Sequence, residues 1–178
     1  MSGKDEAELI ARAREGDRGA FESLLRPLID PGYRLAYTIL GRRPESEDAV
    51  QEAALKAWTN IGQLREGAGS LRAWFLAIVV NQCRMTRRSR WWSVVPVEEP
   101  QRAGTQGDEH LVERSALRQA LDELSDQDRL IVFLYYGVDL GLDDIARVLG
   151  LTPAGAKTRL YRAVRRLRPA MGVAEAPA

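Results

Sequence analysis

At 178 residues the chain has room for one or two domains, each burying a modest core, and its 45% hydrophobic and 29% charged residues exclude wholesale disorder. No apolar run approaches the roughly 20 residues that span a bilayer. The polar start Met1-Ser-Gly-Lys-Asp-Glu6 lacks a signal core, and lone Cys83 excludes an intrachain disulfide or multi-cysteine metal site, so a cytoplasmic protein without membrane insertion is expected.

The net charge is +1, but its distribution is uneven. Lys157, Arg159, Arg162, Arg165, Arg166 and Arg168 lie in a stretch without an acid, and so do Arg84, Arg87, Arg88 and Arg90. The acids gather in Glu45-Ser-Glu-Asp48 and Asp122-Glu-Leu-Ser-Asp-Gln-Asp128. Such segregation predicts two basic surfaces and one acidic or mixed one.

Helical periodicity dominates, and no alternating strand pattern stands out. Asp17 reads as the N-cap of a helix burying Phe21, Leu24, Leu25 and Leu28, which Pro27 and Pro31 should bend or break. A second apolar repeat covers Tyr33, Ala36, Tyr37 and Leu40 before Gly41 stops it. The next helix is expected from near Pro44 to about Ile61, with apolar Ala54, Leu55 and Trp58 towards its end. Residues 62–69 read as a loop, and Ser70 as the N-cap of a long helix to about Arg88, with Trp58 and Trp74 read as core.

From Trp91 to about Gly107 the periodicity fails, and Pro96, Pro100, Gly104 and Gly107 mark a flexible connector. Helical pattern resumes from about Glu109 to Leu124, and Ser125 caps a following helix that Gly137 ends. Two short helices follow, about 142–149 and 153–168. The expected fold is therefore all-α: two small helical domains, 1–92 and 108–178, joined by a linker over 93–107.

The last two helices carry the most informative pattern. A turn of about three residues containing Gly150 joins them, as in a helix-turn-helix. Ile145, Ala146 and Leu149 should face inward on the first, Leu151 should fill the turn, and Ala156, Leu160, Val164 and Leu167 should form the buried stripe of the second. Thr152 suits the N-cap, and Pro153 at the first helical position has no N–H to leave unsatisfied. Lys157, Thr158, Tyr161 and Arg162 are then exposed near the helix start, placed to read base edges in a major groove, while Arg165, Arg166 and Arg168 should meet phosphates.

In the first domain, the helix over 47–58 has a polar face bearing Glu47, Asp48, Gln51, Glu52 and Lys56. The helix from Ser70 turns from apolar to basic along its length, and its basic and polar groups could hold unstacked bases in a charged groove.

The motifs Gly16-Asp-Arg-Gly-Ala-Phe21, Glu47-Asp-Ala-Val-Gln-Glu52 with Lys56-Ala-Trp58, Leu71-Arg-Ala-Trp-Phe75 with Asn81, and Leu121-Asp-Glu-Leu-Ser125 before the helix-turn-helix occur in that order. Together they resemble the extracytoplasmic-function (ECF) sigma factors, the smallest group of the sigma-70 family, which retain regions two and four. The resemblance covers about residues 9–90 and 111–169. It implies a factor directing promoter-specific transcription initiation. Region two would dock on the clamp coiled coil of core RNA polymerase through Asp48, Gln51 and Glu52. Residues 64–70 with Asn81, Arg84, Arg87 and Arg88 would capture the melted strand at the −10 element. Region four would read the −35 duplex through Lys157, Thr158, Tyr161 and Arg162, with Arg165 and Arg166 beside them, and touch the polymerase flap. An anti-sigma factor is the implied regulator. The chain has Ala154-Gly-Ala156 where family members often carry Gly-Thr-Val. Trp91 and Trp92 have two readings, a contact surface or packing back on region two.

An enzyme is not expected: His110 is the lone histidine, and neither it nor Cys83 has a partner nearby in sequence. Gly67-Ala-Gly69 lacks the third glycine and preceding strand of a dinucleotide site, and 122–128 lacks the central glycine of a calcium loop, so no cofactor or metal is expected. The alternative function is a stand-alone helix-turn-helix regulator.

Overall fold

The structure is a computed structural model that describes the backbone of residues 3–64, 70–92 and 111–171 and the side chains of 5–64, 70–88 and 116–171. Its helices fall into two compact units, and no strand occurs among the described residues. The expected linker, residues 93–107, lies outside the described residues, as does most of the 62–69 loop.

The first unit holds α1 (Gly3–Arg14), α2 (Arg18–Leu40), α3 (Arg43–Asn60) and α4 (Leu71–Trp92), with a 3-10 turn at Ile61–Gln63. Asp17 caps α2 as expected: its Oδ1 accepts from the Ala20 N–H at 3.0 Å, and its Oδ2 lies 2.7 Å from the Arg12 guanidinium. Both interactions favour the carboxylate, with the Ala20 amide first, and hold its pKa below the usual range. Gly41 ends the helix in the left-handed conformation at φ 69°, its N–H bonding to the Tyr37 carbonyl.

Between those caps α2 runs unbroken through Pro27 and Pro31, against the expected interruption. The two prolines sit one turn apart; Pro27 is exposed, whereas Pro31 is half-buried and shares a stripe with the buried Leu24, Leu28 and Leu35. The helix bond that Pro27 deletes lies on the side open to water, where the freed Ser23 carbonyl can be hydrated. Gly32 has the opposite role. It is buried in mid-helix, and a Cβ there would stand 3.0 Å from Cε1 of Phe75 and 3.5 Å from Cγ2 of Val79. Its missing side chain lets α2 and α4 approach closely.

The core between α2, α3 and α4 is filled by Leu24, Leu35, Ala53, Phe75, Leu76, Val79 and Val80, each at 2% exposure or less. Complete burial of such large apolar side chains stabilises the fold by about 1.5–3 kcal/mol each. Phe21, Trp58 and Trp74 are half-buried rather than core, and Phe21 meets Trp58 edge-on at 5.0 Å between ring centres. Cys83 is fully buried, which pushes its thiol up to about 12 and leaves it unreactive near neutral pH. Ser70 caps α4 through the Ala73 N–H at 3.2 Å. The helix continues past Arg88 to Trp92, so Trp91 and Trp92 extend it; what their side chains touch lies outside the described residues.

The second unit holds α5 (Leu111–Asp122), α6 (Asp126–Val132), α7 (Leu142–Leu149) and α8 (Pro153–Leu167), then a 3-10 turn to Met171. Ser125 caps α6 by accepting from the Asp128 N–H at 3.2 Å. After Val132 the helix widens into a π turn over Phe133–Gly137, and a Cβ on Gly137 would stand 3.1 Å from the Phe133 ring. Asp139 follows in the left-handed conformation at φ 59°.

Candidate nucleic-acid interface

Recognition-helix geometry in the second unit begins with local chemistry. Gly150 takes φ 70°, which a residue with a side chain rarely adopts, and this reverses the chain after α7. The Leu151 N–H then bonds to the Ala146 carbonyl at 2.8 Å and fixes the turn. Thr152 accepts from the Gly155 N–H at 3.0 Å with Pro153 at the first helical position, so α8 starts where the sequence places it.

The buried stripe of α8 is Ala156, Leu160, Ala163 and Leu167. Ala163 takes the place expected for Val164, which is half-buried at the edge of the stripe. A spacing of four, three and four follows the 3.6-residue period more closely than two successive steps of four. Lys157, Thr158, Tyr161, Arg162, Arg165, Arg166 and Arg168 are all exposed on the remaining face, and Tyr161 keeps 70% of its surface.

Arg159 is different. It flanks the buried stripe and lies 3.6 Å from Asp128, with side-chain exposures of 29% and 7%. Acid-free in sequence, the α8 cations thus have an acid in space, supplied by the first turn of α6. Arg159 ties α8 to α6; the outward cations do not include it. Only the distance between residues 128 and 159 along the chain hid this pair from sequence reasoning.

In the first unit, Asp48, Gln51 and Glu52 are exposed on α3 and share one face. Glu47, one residue off, is engaged by Arg43 at 2.9 Å, an interaction that raises the arginine's pKa. Leu55 belongs to the same face at the next turn and is 61% exposed, an apolar group among polar ones. On α4, Asn81, Arg84, Arg87 and Arg88 are all exposed. Asn81, Arg84 and Arg88 are spaced at i, i+3 and i+7 opposite the buried face of Phe75, Leu76, Val79, Val80 and Cys83, with Arg87 beside Arg84. The whole of α4 contains no acid. The base of the neighbouring loop is held from α1, where the Arg14 guanidinium donates to the Leu64 carbonyl.

Among the described residues no group of histidine, cysteine, aspartate or glutamate side chains could hold a metal ion, and no helix is long and apolar enough to cross a membrane. The chemistry on offer is exposed cations, amides, hydroxyls and aromatic rings on two helices, a set suited to binding nucleic acid.

Comparison with known proteins matches two stretches of the chain to one family. A family model described as Sigma-70 region 2 matches residues 20–93, and one described as Sigma-70, region 4 matches residues 114–167. The RNA polymerase sigma factor SigV of Bacillus subtilis (strain 168) is 31% identical over 136 residues, covering 76% of this chain and 81% of that protein. The ECF RNA polymerase sigma factor SigM of Mycobacterium tuberculosis is 31% identical over 172 residues, 95% of this chain and 86% of that one. Among solved structures, the sigma factor RpoE in complex with the anti-sigma factor NepR from Bartonella quintana matches with TM-score 0.69 at 24% identity, over 87% of this chain and 98% of that chain. CnrH in complex with the cytosolic domain of CnrY matches with TM-score 0.69 at 21% identity, over 96% and 99% of the two chains. These two structures share the fold.

Proposed function

The chain belongs to the sigma-70 family of RNA polymerase sigma factors, in its extracytoplasmic-function group, and from that premise we propose how its residues divide promoter recognition. Residues 1–92 and 108–178 act as the two binding domains, and 93–107 as the linker between them.

Asp48, Gln51 and Glu52 dock the first domain on the clamp of core RNA polymerase, with Leu55 adding an apolar contact at the end of the same face. Asn81, Arg84, Arg87 and Arg88 hold the melted strand at the −10 element: the guanidinium groups neutralise phosphates, and Asn81 offers a donor and an acceptor to a base edge. In the second domain Lys157, Thr158, Tyr161 and Arg162 read the −35 duplex in the major groove, while Arg165 and Arg166 contact phosphates. The exposed pair Tyr135 and Tyr136, edge-to-face at 4.9 Å, supplies an apolar contact for the polymerase flap. An anti-sigma protein covering these surfaces is the matching form of control; the sigma factor RpoE is itself found in complex with the anti-sigma factor NepR.

The protein has no catalytic role in this reading. Opening the duplex draws on binding energy, since unstacking costs a few kcal/mol per step.

The observation that carries the reading is the outward face of α8, capped at its start and exposed along Lys157, Thr158, Tyr161 and Arg162. The test is start-site selection. Promoters identified by sequencing RNA after overexpression should be transcribed in vitro by purified core polymerase with this protein and not without it. A stand-alone helix-turn-helix regulator would bind those sequences yet fail to confer initiation on core enzyme.

A further inference from the structure

Met85 is 55% exposed in the middle of the outward face of α4, opposite the buried residues. Nothing in the packing of the first unit calls for an apolar side chain there. Asn81 stands one turn before it and Arg88 one turn after, with Arg84 adjacent, and the 22 residues of α4 include no acid. A further cation arrives from α3: the Lys56 ammonium lies 3.9 Å from the Met85 sulfur. The result is a thioether exposed to solvent and ringed by cations from two helices.

We propose that Met85 is the apolar contact for an unpaired nucleobase, the base lying against the thioether while Lys56, Arg84 and Arg88 meet the flanking phosphates. This rests on the −10 assignment above and names the group that takes the base. Every base presents an apolar face bounded by a polyanionic backbone, so a polarisable apolar patch inside a cationic ring is complementary to single-stranded DNA. Methionine is also among the side chains that wedge into opened base steps. A protein partner would have to match the same patch with an apolar group set among acids.

The test uses holoenzyme assembled from the full chain and compares the wild type with Met85→Gln and Met85→Leu. Glutamine keeps length and helix propensity but loses the apolar contact; leucine keeps the contact. Open-complex lifetime is measured on promoters with single abasic substitutions along the −10 non-template strand. Met85→Gln should shorten the lifetime about three- to ten-fold on the intact promoter. One abasic position that penalises the wild type should cost this variant nothing more, and Met85→Leu should recover most of the lifetime. If Met85→Gln matches the wild type across the scan while Asn81→Ala and Arg88→Ala shorten the lifetime, the inference about Met85 is overturned and the −10 assignment stands. If all three substitutions are silent, the assignment of the face falls with it. A Met85→Gln defect confined to holoenzyme assembly would make Met85 a protein contact and likewise overturn the proposal.

Discussion

Arg159→Ala and Arg162→Ala remove the same charge from one helix, three residues apart, and should fail in different assays. The Arg159 guanidinium lies 3.6 Å from Asp128, whose side chain is 7% exposed. Deleting the arginine leaves a desolvated carboxylate without its cation. Breaking a fully buried pair costs about 3–5 kcal/mol. Three features lower that here: the separation is long, the arginine side chain is 29% exposed, and Asp128 sits in the first turn of α6 where the helix field favours an anion. A loss of about 1–2.5 kcal/mol from the second domain is expected. All four tryptophans, at 58, 74, 91 and 92, precede the second domain, so their fluorescence does not report on it. Native-state hydrogen exchange of the α6 and α8 amides in the intact chain does. Arg162→Ala should leave that protection within about 0.5 kcal/mol and instead weaken −35 duplex binding by about 1–3 kcal/mol, relaxing discrimination at one base pair. Arg166→Ala, as a phosphate contact, should mainly lower the salt slope by about one. If Arg159→Ala leaves α6 and α8 protected and relaxes base discrimination as Arg162→Ala does, Arg159 is a reader and the pair with Asp128 is incidental.

The α3 face gives a sharp expectation. Leu55→Glu, or Asp48→Ala with Gln51→Ala, should weaken association with core polymerase about ten-fold or more while leaving the urea midpoint unchanged, because Leu55 is 61% exposed and stabilises little by itself; undiminished holoenzyme formation by titration would remove this face from the docking surface. Gly32→Ala sets two effects against each other. Alanine gains about 1 kcal/mol of helix propensity, but its Cβ would stand 3.0 Å from the ring of Phe75, which is fully buried and has little room to move. Overpacking of this sort costs about 1–3 kcal/mol, so a net loss near 1 kcal/mol should appear in urea unfolding followed by tryptophan fluorescence, and a net gain would mean the ring gives way freely.

What the sequence revealed and what it hid divide along one physical line. Caps, turns and the exposed face of a helix are set by residues within four or five positions of one another. Asp17, Ser70, Ser125, Thr152 with Pro153, and Gly150 therefore all occupy the roles their chemistry suggests. The outward residues of α3, α4 and α8 follow from the same periodicity, and each candidate contact on them is exposed. Three features needed tertiary knowledge. Pro27 and Pro31 read as breakers, yet the packing of α2 on its neighbours carries the helix through both; Gly32 beside them is the point where α2 meets Phe75. Arg159 belongs to an acid-free stretch of sequence, and its acid lies in another helix. Leu55 is of another kind: its register with Asp48, Gln51 and Glu52 is readable in the sequence and turns it outward. Where register and hydrophobicity disagree, as at Leu55 and Met85, the fold does not explain the apolar side chain. Such residues gain nothing from folding, so a partner that buries them gains their transfer free energy in full. It is on those two side chains, rather than on the arginines that composition makes conspicuous, that the specificity of the first domain's surfaces can be tested most cleanly.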